Sequence, residues 1–463
     1  MTRKSRSKRV HRPDLAGCLR DFLRPAAWRR LHRVGADFEK KRSRWTLQPL
    51  LMVGLSMALS HAKTRREQFE EGCELYDALR SRRRRCGGSA EGFLTALGRL
   101  PHAVLLAFRV ELQAYALRKG IDPSRIGRWQ AFGLDGTKQN LPLTDENLDY
   151  YGSATKDPGR PQRLLAVAFG LAGRMVWDWE AGRGDGSERE LVGEVSQRLP
   201  KDALVVVDAG MVGYEWVLRM IAAGKHLLMR VGANCTLLCG EEWHVDRRDG
   251  KVWLWPKSKR DGPPLVLRLI RVKCKCRTRE EIAKGGKEIR KTEKREIWLL
   301  TDVMDRKELS VKEARGLYEM RWPANEVGFR VWKHVLNGEK AYSRTPEQAE
   351  REGMLSLLGM MWLQVLGAAA QQERRVPPRP VSVARAARVW RKAARHCAAG
   401  RNTLGFQKKM SEATIDPYQR RKPKVKRRWA ERKDHNFATR PKLRRLTAGV
   451  KRLGLKMLEE QCA

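Results

Sequence analysis

The stretch that decides the fold is Ala203-Leu-Val-Val-Val-Asp208-Ala-Gly210, in which five apolar residues run into an acid. A similar run earlier in the chain is Trp129-Gln-Ala-Phe-Gly-Leu-Asp135-Gly-Thr137. Short apolar runs bounded by Gly and Asp are typical of strands buried in a sheet. Because sites in open α/β sheets lie at the carboxyl ends of strands, Asp135 and Asp208 are candidate functional residues.

The elements around these two runs alternate in a recognisable order. Leu164–Leu171 and Met175–Trp179 read as a hairpin, and Ser187-Glu-Arg-Glu190 is a capping box that opens a helix. A helix over Tyr214–Ala222 and a strand over His226–Val231 follow Asp208. The order βββαβα, with an acid at the end of a later strand, predicts an α/β fold with an RNase H-like core.

A third acid, Glu326, lies far downstream in a segment predicted to be helical. Ser310–Met320 has helical character, and the helix over Asn325–Leu336 carries Glu326 together with basic residues. Pro323, between the two segments, marks either the first turn of a second helix or a kink.

Three carboxylates brought together can hold two divalent ions about 3.5–4 Å apart, the arrangement that cuts phosphodiesters. Carboxylate oxygens suit Mg²⁺, with Mn²⁺ as a substitute. Our hypothesis is that Asp135 bridges two ions, while Asp208 and Glu326 each hold one. Taken singly, each acid has a simpler explanation: a turn at Asp135, a strand-end cap at Asp208 and an early-helix acid at Glu326.

The charge of the chain points to a polyanionic partner. Its 463 residues include 96 Lys and Arg against 53 Asp and Glu, a formal net charge of +43. Such a balance is the usual footprint of nucleic-acid binding, and double-stranded DNA is the expected partner. A membrane is not expected, because Met354–Ala370, the longest apolar stretch, contains Gln364 and is shorter than a span of about 20 residues. We interpret it as a buried core helix.

The sequence divides into five predicted regions. Residues 1–125 are a helical, basic, DNA-end-binding region, and 126–231 are the first part of the RNase H-like core. Residues 232–295 are a β-rich insertion subdomain, 296–372 are the second part of the core, and 373–463 are a basic C-terminal region. A loop as long as 232–295 without structure of its own would be unusual, which favours the insertion.

The predicted insertion contains aromatic and sulfur-bearing residues with two possible roles each. Its tryptophans either stack on an extruded base or pack in the core: Trp243, Trp253 and Trp255. Its cysteines and one histidine are either buried side chains or zinc ligands at loose spacing: Cys235, Cys239, Cys274, Cys276 and His244. Because all nine cysteines of the chain lack a disulfide-like spacing, a reducing cytoplasm is the expected location.

The tail is the most basic stretch of the chain. Gln419–Arg445 holds 13 Lys and Arg against Glu431 and Asp434. Charge runs of this kind are usually disordered when free. The tail either neutralises phosphates without reading sequence, with Trp429 as an added stacking contact, or is solvated without a fixed partner.

With these motifs in hand, the chain resembles the DDE transposases of bacterial insertion sequences over roughly residues 125–370. It is most similar to the insertion-sequence-four type, which has a β insertion before its last acid. That group carries a Tyr-Arg-Glu-Lys signature, matched here by Tyr318, Arg321, Glu326 and Lys333. One extra residue separates Arg321 from Glu326, and Ala209 stands where the family has Arg.

The resemblance implies a function and a set of site residues. It implies a transposase that binds the ends of an insertion sequence and catalyses Mg²⁺-dependent cleavage and strand transfer, with Asp135, Asp208 and Glu326 as catalytic metal ligands. It also implies backbone phosphate contacts by three residues, Tyr318, Arg321 and Lys333; the alternative is a solvated helix face. Arg330 and Lys138 are less specific candidates for DNA binding. The resemblance further implies a homodimer on DNA and a bacterial, nucleoid-associated location.

Two other function classes remain open at this stage. The chain is alternatively a catalytically inactive, decayed or domesticated transposase that acts as a DNA-binding protein. A simple nuclease with an RNase H-like core is the third reading, but it gives no reason for the basic helical N-terminal region or for the β insertion.

Overall fold

The computed structural model describes residues 14–38, 43–79, 86–153, 159–244, 247–280, 289–415 and 440–462. Helices dominate both ends of this part of the chain. Within it the α-helices are α1 (Leu15–Phe22), α2 (Pro25–Val34), α3 (Leu47–Leu59), α4 (Arg65–Leu79), α5 (Ala90–Arg99), α6 (His102–Arg118), α7 (Asp145–Tyr151), α8 (Glu188–Gln197), α9 (Tyr214–Ala222), α10 (Val311–Val335), α11 (Pro346–Glu373), α12 (Val383–Ala398), α13 (Phe406–Ser411) and α14 (Ala448–Cys462).

Strands occupy the middle of the chain and return once near its end. In the described residues they are β1 (Arg125–Ile126), β2 (Trp129–Asn140), β3 (Gln162–Gly170), β4 (Met175–Arg183), β5 (Leu204–Val207), β6 (His226–Val231), β7 (Thr236–Cys239), β8 (Asp249–Leu254), β9 (Leu265–Glu280), β10 (Ile289–Thr301) and β11 (Lys442–Arg445). They form one mixed sheet in the order β11-β7-β8-β9-β10-β6-β5-β2-β3-β4, with β1 paired to β2.

The chain forms two units, each assembled from three separate stretches. The first unit takes its described residues from Met1–Pro123, Gly136–Gly186 and Glu326–Tyr418, and the second takes them from Ser124–Asp135, Ser187–Asn325 and Gln419–Ala463. This partition is built differently from the five linear regions expected from the sequence, and those regions stay a prediction.

The second unit contains the parallel part of the sheet. Ala131–Gly133 of β2 pair in parallel with Leu204–Val206 of β5, and β5 pairs in parallel with β6. Parallel neighbours need a crossover connection, which α8 and α9 supply. The serine cap at the start of α8 is confirmed, since the Ser187 hydroxyl accepts a hydrogen bond from the Glu190 backbone N–H.

The first unit is largely helical and is built around α11. In the most apolar continuous stretch of 18 residues of this 28-residue helix, 94% of the residues are buried. Length and composition alone would also allow a membrane span. A helix that is apolar on all sides requires packing partners around its whole circumference, which confirms the expected buried core helix. The β3–β4 hairpin also belongs to this unit and pairs in antiparallel register from Arg163–Arg183 to Gly170–Met175.

The strand order β4-β3-β2-β5-β6, with helices in the connections after β4 and β5, is the RNase H-like arrangement. The expected fold class is therefore confirmed. The interval after β6 contains β7, β8 and β9, as the β-rich insertion predicts.

Three local expectations need correction. Strand β2 does not end at Asp135 but continues to Asn140, whose backbone exchanges hydrogen bonds with Glu339 and Ala341 in the first unit. Of the two alternatives at Pro323, the start of a second helix is wrong, because α10 runs through this residue; the kink stays a prediction. The tail residues Lys442–Arg445 are not disordered, since β11 pairs in parallel with β7.

Candidate active site

The sheet register brings Asp135 and Asp208 to the same edge. Gly133 of β2 lies opposite Val206 of β5, and each acid follows its strand's paired residue by two positions. Side chains two residues apart on a strand share a face, so the two carboxylates emerge side by side. Asp208 also caps the short 3-10 turn Ala209–Met211, and its Oδ1 accepts a hydrogen bond from the Ala209 backbone N–H at 2.7 Å.

One arginine of α10 joins the two acids. The Arg321 Nη1 donates to Asp135 Oδ2 at 3.0 Å, and its Nη2 donates to Asp208 Oδ2 at 3.2 Å. Arg321 is 5% exposed, so the guanidinium is enclosed rather than presented at the surface. Charge-assisted contacts of this kind are among the strongest side-chain hydrogen bonds.

Two further side chains close around Asp208. The Arg230 Nε, at the end of β6, lies 2.6 Å from Asp208 Oδ1 as an ion pair without hydrogen-bond geometry. The Tyr318 hydroxyl donates to the same oxygen at 3.3 Å. Burial, followed by the nearby Asp208 charge, raises the pKa of Tyr318 to about 12, so this phenol stays protonated and remains a donor at neutral pH.

The electrostatic balance keeps Arg321 charged. Burial alone would lower its pKa, but Tyr318, Asp208 and Asp135 outweigh burial, and the pKa of Arg321 is raised above its usual value. The second unit thus holds two carboxylates between two guanidinium groups, those of Arg230 and Arg321.

The remaining signature residues belong to the continuation of α10 in the first unit. Glu326 and Arg330 are exposed on this helix, and Lys333 is half-buried. Burial lowers the pKa of Lys333, and the neighbouring Glu339 and Glu326 offset only part of that effect. Lys138 is engaged locally, since its Nζ donates to the Gly184 carbonyl at 2.6 Å.

The chemistry of the two aspartates suits a divalent ion. Their oxygens already converge on one cationic group, the Arg321 guanidinium, which shows that this edge of the sheet accepts positive charge. Across the described stretches, no group of three or more His, Cys, Asp or Glu side chains is arranged to hold a metal ion. The two aspartates supply oxygen ligands of the type that a divalent ion takes, and the metal-ligand roles of Asp135, Asp208 and Glu326 stay a prediction.

The tryptophans of the insertion are buried in this structure. Trp243, Trp253 and Trp255 are 2%, 6% and 3% exposed, and the last two pack against Tyr214 and Leu238. This is the arrangement expected of the core-packing alternative rather than of base stacking.

The cysteines described near the insertion are also buried. Cys235 and Cys239 are 3% and 2% exposed, and burial raises the pKa of Cys235 to about 12. The Cys239 thiol donates to the Arg444 carbonyl at 3.5 Å. Both positions are those expected of the buried-side-chain alternative. The side chains of the other zinc candidates lie outside the described residues: Cys274, Cys276 and His244. Two basic stretches also lie outside them, Arg82–Arg85 and the tail from residue 416 to 439, which includes Trp429.

Arg230 was not among the residues assigned to the site from the sequence. The signal was available, because Arg230 follows Met229, which pairs with Val207 immediately before Asp208. Residues at the ends of neighbouring parallel strands meet at one edge, so a basic residue there should have been expected beside the acid.

Comparison with known families assigns this fold and these residues to a group. The family model described as a transposase DDE domain matches residues 131–362, half of the chain. The chain belongs to the DDE transposase family. The matched span of this transposase contains Asp135, Asp208, Arg321 and Glu326, and its family membership supports a function in DNA transposition.

Other comparisons are more distant. A solved structure that resembles the transposase is the cryo-EM structure of a piggyBac transposase synaptic complex with hairpin DNA, at 11% sequence identity and a TM-score of 0.43. The similarity covers 86% of this chain and 82% of the other. A similarity this distant supports no statement about individual residues. A search among curated proteins finds no match.

Proposed function

We propose that this chain binds the ends of an insertion sequence of the insertion-sequence-four type in bacteria and catalyses divalent-metal-dependent cleavage and strand transfer of DNA. The observation that carries the proposal is the convergence of Asp135 and Asp208 at one sheet edge within the span matched by the DDE family. Carboxylate oxygens are ligands that Mg²⁺ accepts together with water and substrate phosphate oxygens.

In this proposal Asp135, Asp208 and Glu326 are the metal ligands, with Mg²⁺ or Mn²⁺ as the ion. Glu326 enters the proposal as the acid of the Tyr-Arg-Glu-Lys signature, and it lies on α10 within the span matched by the DDE family. The bound ions supply activation of the attacking oxygen and neutralisation of the leaving oxygen. The protein's own part is to fix the carboxylates through the β2–β5 register.

The other signature residues have binding roles in the proposal. Arg330 is exposed and charged, which suits contact with DNA phosphates, and Lys333 lies on the same helix. Tyr318 stays protonated and can donate to a phosphate oxygen as it does to Asp208. Two copies of the chain acting on two DNA ends follow from the family resemblance.

A second candidate function rests on a separate observation. The Asp208 oxygens are engaged by Arg230, Arg321 and Tyr318, and Ala209 replaces an arginine of the family pattern. A chain whose acids were permanently neutralised would bind DNA without cutting it, as a domesticated transposase would.

One experiment separates the two candidates. Labelled duplexes carrying the DNA that flanks the coding region are incubated with the protein and Mg²⁺ or Mn²⁺, and products are resolved on a denaturing gel. Metal-dependent cuts at the ends support the enzyme. Binding without any cut, in both metals, leaves only the DNA-binding candidate.

A further inference from the structure

The Arg321 guanidinium takes up the carboxylate oxygens that a divalent ion would need. It contacts Asp135 Oδ2 and Asp208 Oδ2, while Asp208 Oδ1 faces Arg230, Tyr318 and the Ala209 N–H. Asp208 therefore has no oxygen that is not already engaged. An ion that takes Asp135 Oδ2 and Asp208 Oδ2 together therefore competes with the Arg321 guanidinium for the same two oxygens.

We propose that Arg321 is the internal counter-cation of the metal site, and that its ion pairs and metal loading exclude one another. Before loading, the guanidinium holds two like-charged carboxylates at one edge and neutralises them. On loading it leaves, and a charged planar group becomes available to a DNA phosphate. This inference rests on the proposed role of Asp135 and Asp208 as metal ligands.

The packing around Arg321 agrees with a side chain that has a second position. Among the described residues, the Arg321 Nε is buried without a hydrogen-bond partner. So are both amide atoms of Asn325, which is fully buried one helical turn further along α10. Buried polar atoms without partners cost free energy in the position where they are left unpaired. The ion-paired position of Arg321 is therefore incompletely satisfied.

The test is a Mn²⁺ titration, followed by electron paramagnetic resonance of the free ion, on four folded proteins. Arg321→Gln removes the competing cation and is expected to bind Mn²⁺ about tenfold more tightly, a difference of about 1.4 kcal/mol. Arg315→Gln, on the exposed face of the same helix, is the matched control and should bind as the wild type does. Equal or weaker binding by Arg321→Gln overturns the inference.

Asp208→Asn keeps failure of the inference apart from failure of the proposed function. If it binds Mn²⁺ as the wild type does, the metal site itself is wrongly assigned. A second measurement uses the unmodified chain: phenylglyoxal modification of Arg321, read by mass spectrometry, should rise when saturating Mn²⁺ is present. If modification of Arg321 does not increase, the proposed mutual exclusion of its ion pairs and metal loading is also contradicted. This measurement uses the wild-type protein, so it does not depend on the folding of a variant.

An independent observation concerns the basic groove, which we define by Arg388, Lys392 and His396 of α12 and by Lys409 of α13. These residues line a cavity of about 550 Å³ in the first unit. Among the described residues that line it, the one acid is Glu412, which lies 3.8 Å from Arg374.

Helix α12 buries an apolar face and exposes a basic one. It contains no acidic residue, and its buried face consists of small and aromatic side chains: Val383, Ala386, Ala387, Trp390 and Ala393. The opposite face leaves Arg388 and Lys392 exposed one turn apart. A neighbouring cavity of about 710 Å³ has Glu71 and Glu74 in its wall, so its charge is mixed. The wall of the basic groove therefore carries a larger net positive charge than the wall of that cavity.

We propose that the basic groove is a docking surface for the phosphate backbone of duplex DNA, separate from the carboxylate site. Each phosphate neutralised by a basic residue contributes about 0.9 to the slope of log affinity against log salt. Three residues of the groove that contact phosphates account for about 2.7 of that slope.

The experiment measures duplex binding by fluorescence anisotropy at several salt concentrations. The variant Arg388→Gln, Lys392→Gln, Lys409→Gln should lower the slope by about 2.7 and weaken binding without altering Mn²⁺ affinity. The matched control removes three exposed lysines scattered over the second unit, Lys201→Gln, Lys307→Gln, Lys312→Gln, and loses the same total charge. Equal changes in the two triple variants, or no change in the first, overturn the proposal.

Discussion

Gly328 of α10 lies against Phe169 of β3, and its replacement by alanine tests how the helix is positioned. A Cβ at Gly328 would lie 2.6 Å from Cε1 and 2.9 Å from Cζ of Phe169. Phe169 is 1% exposed and meets Phe329 edge-on at 5.4 Å between ring centroids, so its ring has little room to move. Gly328→Ala must therefore displace either the ring or the helix.

The expected cost can be worked out with a control on the same helix. Gly316 has no atom within 4 Å of an added Cβ, so Gly316→Ala should raise the free energy of unfolding by about 1 kcal/mol through helix propensity alone. Gly328→Ala has the same propensity gain but suffers overpacking of about 1–3 kcal/mol. The two variants should therefore differ by about 1–3 kcal/mol, with Gly328→Ala the less stable.

The assay is urea unfolding followed by tryptophan fluorescence, together with cleavage of the transposon end. Because Gly328 lies two residues after Glu326, a displaced helix should also slow Mg²⁺-dependent cleavage, whereas Gly316→Ala should cleave as the wild type does. If Gly328→Ala is stabilised as much as Gly316→Ala and cleaves normally, the close packing of α10 on Phe169 does not position the helix.

Three further predictions follow from other contacts. Asp208→Asn should abolish Mg²⁺-dependent end cleavage on a denaturing gel while duplex binding in a mobility-shift assay persists. The hydrogen bond to Asp302 at 2.7 Å raises the pKa of His226. The contribution of this pair to stability is therefore complete below about pH 6.5 and is lost as the pH rises through the raised pKa of His226. Unfolding midpoints between pH 5 and 9 should show this loss in the wild type, and the His226→Gln variant should not show it. Arg268→Met, which breaks a bidentate pair with Asp249 at 2.8 Å in which Arg268 is 2% exposed, should cost about 3–5 kcal/mol in urea unfolding.

Each of these has its own control and contrary result. Complete cleavage by Asp208→Asn would remove Asp208 from the catalytic set. A His226→Gln variant that keeps the full pH dependence would assign that dependence to other groups. Arg306→Gln, which removes an exposed partner of the same Asp249, should cost less than about 1 kcal/mol; a cost equal to that of Arg268→Met would mean that burial of the pair is unimportant.

The core of the fold could be predicted from the sequence wherever the signal was local. The bounds of α9 and β6 agree with expectation because each is a short apolar segment between breaks in the pattern. The capping box predicted the start of α8 because a serine hydroxyl and a backbone N–H three residues later satisfy each other within one turn.

Expectations were wrong where distant backbone groups decide the outcome. The apolar pattern of β2 stops at Asp135, yet the strand continues because Asn140 bonds to the chain that follows α10. Pro323 removes one helical hydrogen bond, but the turns on both sides of it are helical and α10 continues. The residues to which Asn140 bonds are far away along the chain, so they are not visible in a local window of sequence.

The C-terminal end shows a third kind of difference. After the basic run lies a helix that was not expected, α14, whose apolar residues Val450, Met457 and Leu458 pack against the cluster that contains Trp253 and Trp255. Their spacing of seven and one residues is helical and was overlooked beside the charge. The ion pairs of Arg321 with Asp135 and Asp208 could not be predicted from the sequence either. The signature motif predicts that this arginine binds phosphate, but it does not predict the side chains that the arginine contacts in the absence of DNA.

The most direct test of the central claim is mapping of the metal site by Fe²⁺-generated cleavage of the protein backbone, in the presence of a duplex transposon end. If Asp135, Asp208 and Glu326 share bound ions, the chain will be cut beside all three residues, excess Mg²⁺ will suppress the cuts, and Asp208→Asn will lose them. Cuts beside Asp135 and Asp208 without any beside Glu326, or no Mg²⁺-sensitive cuts at all, would contradict the three-carboxylate site.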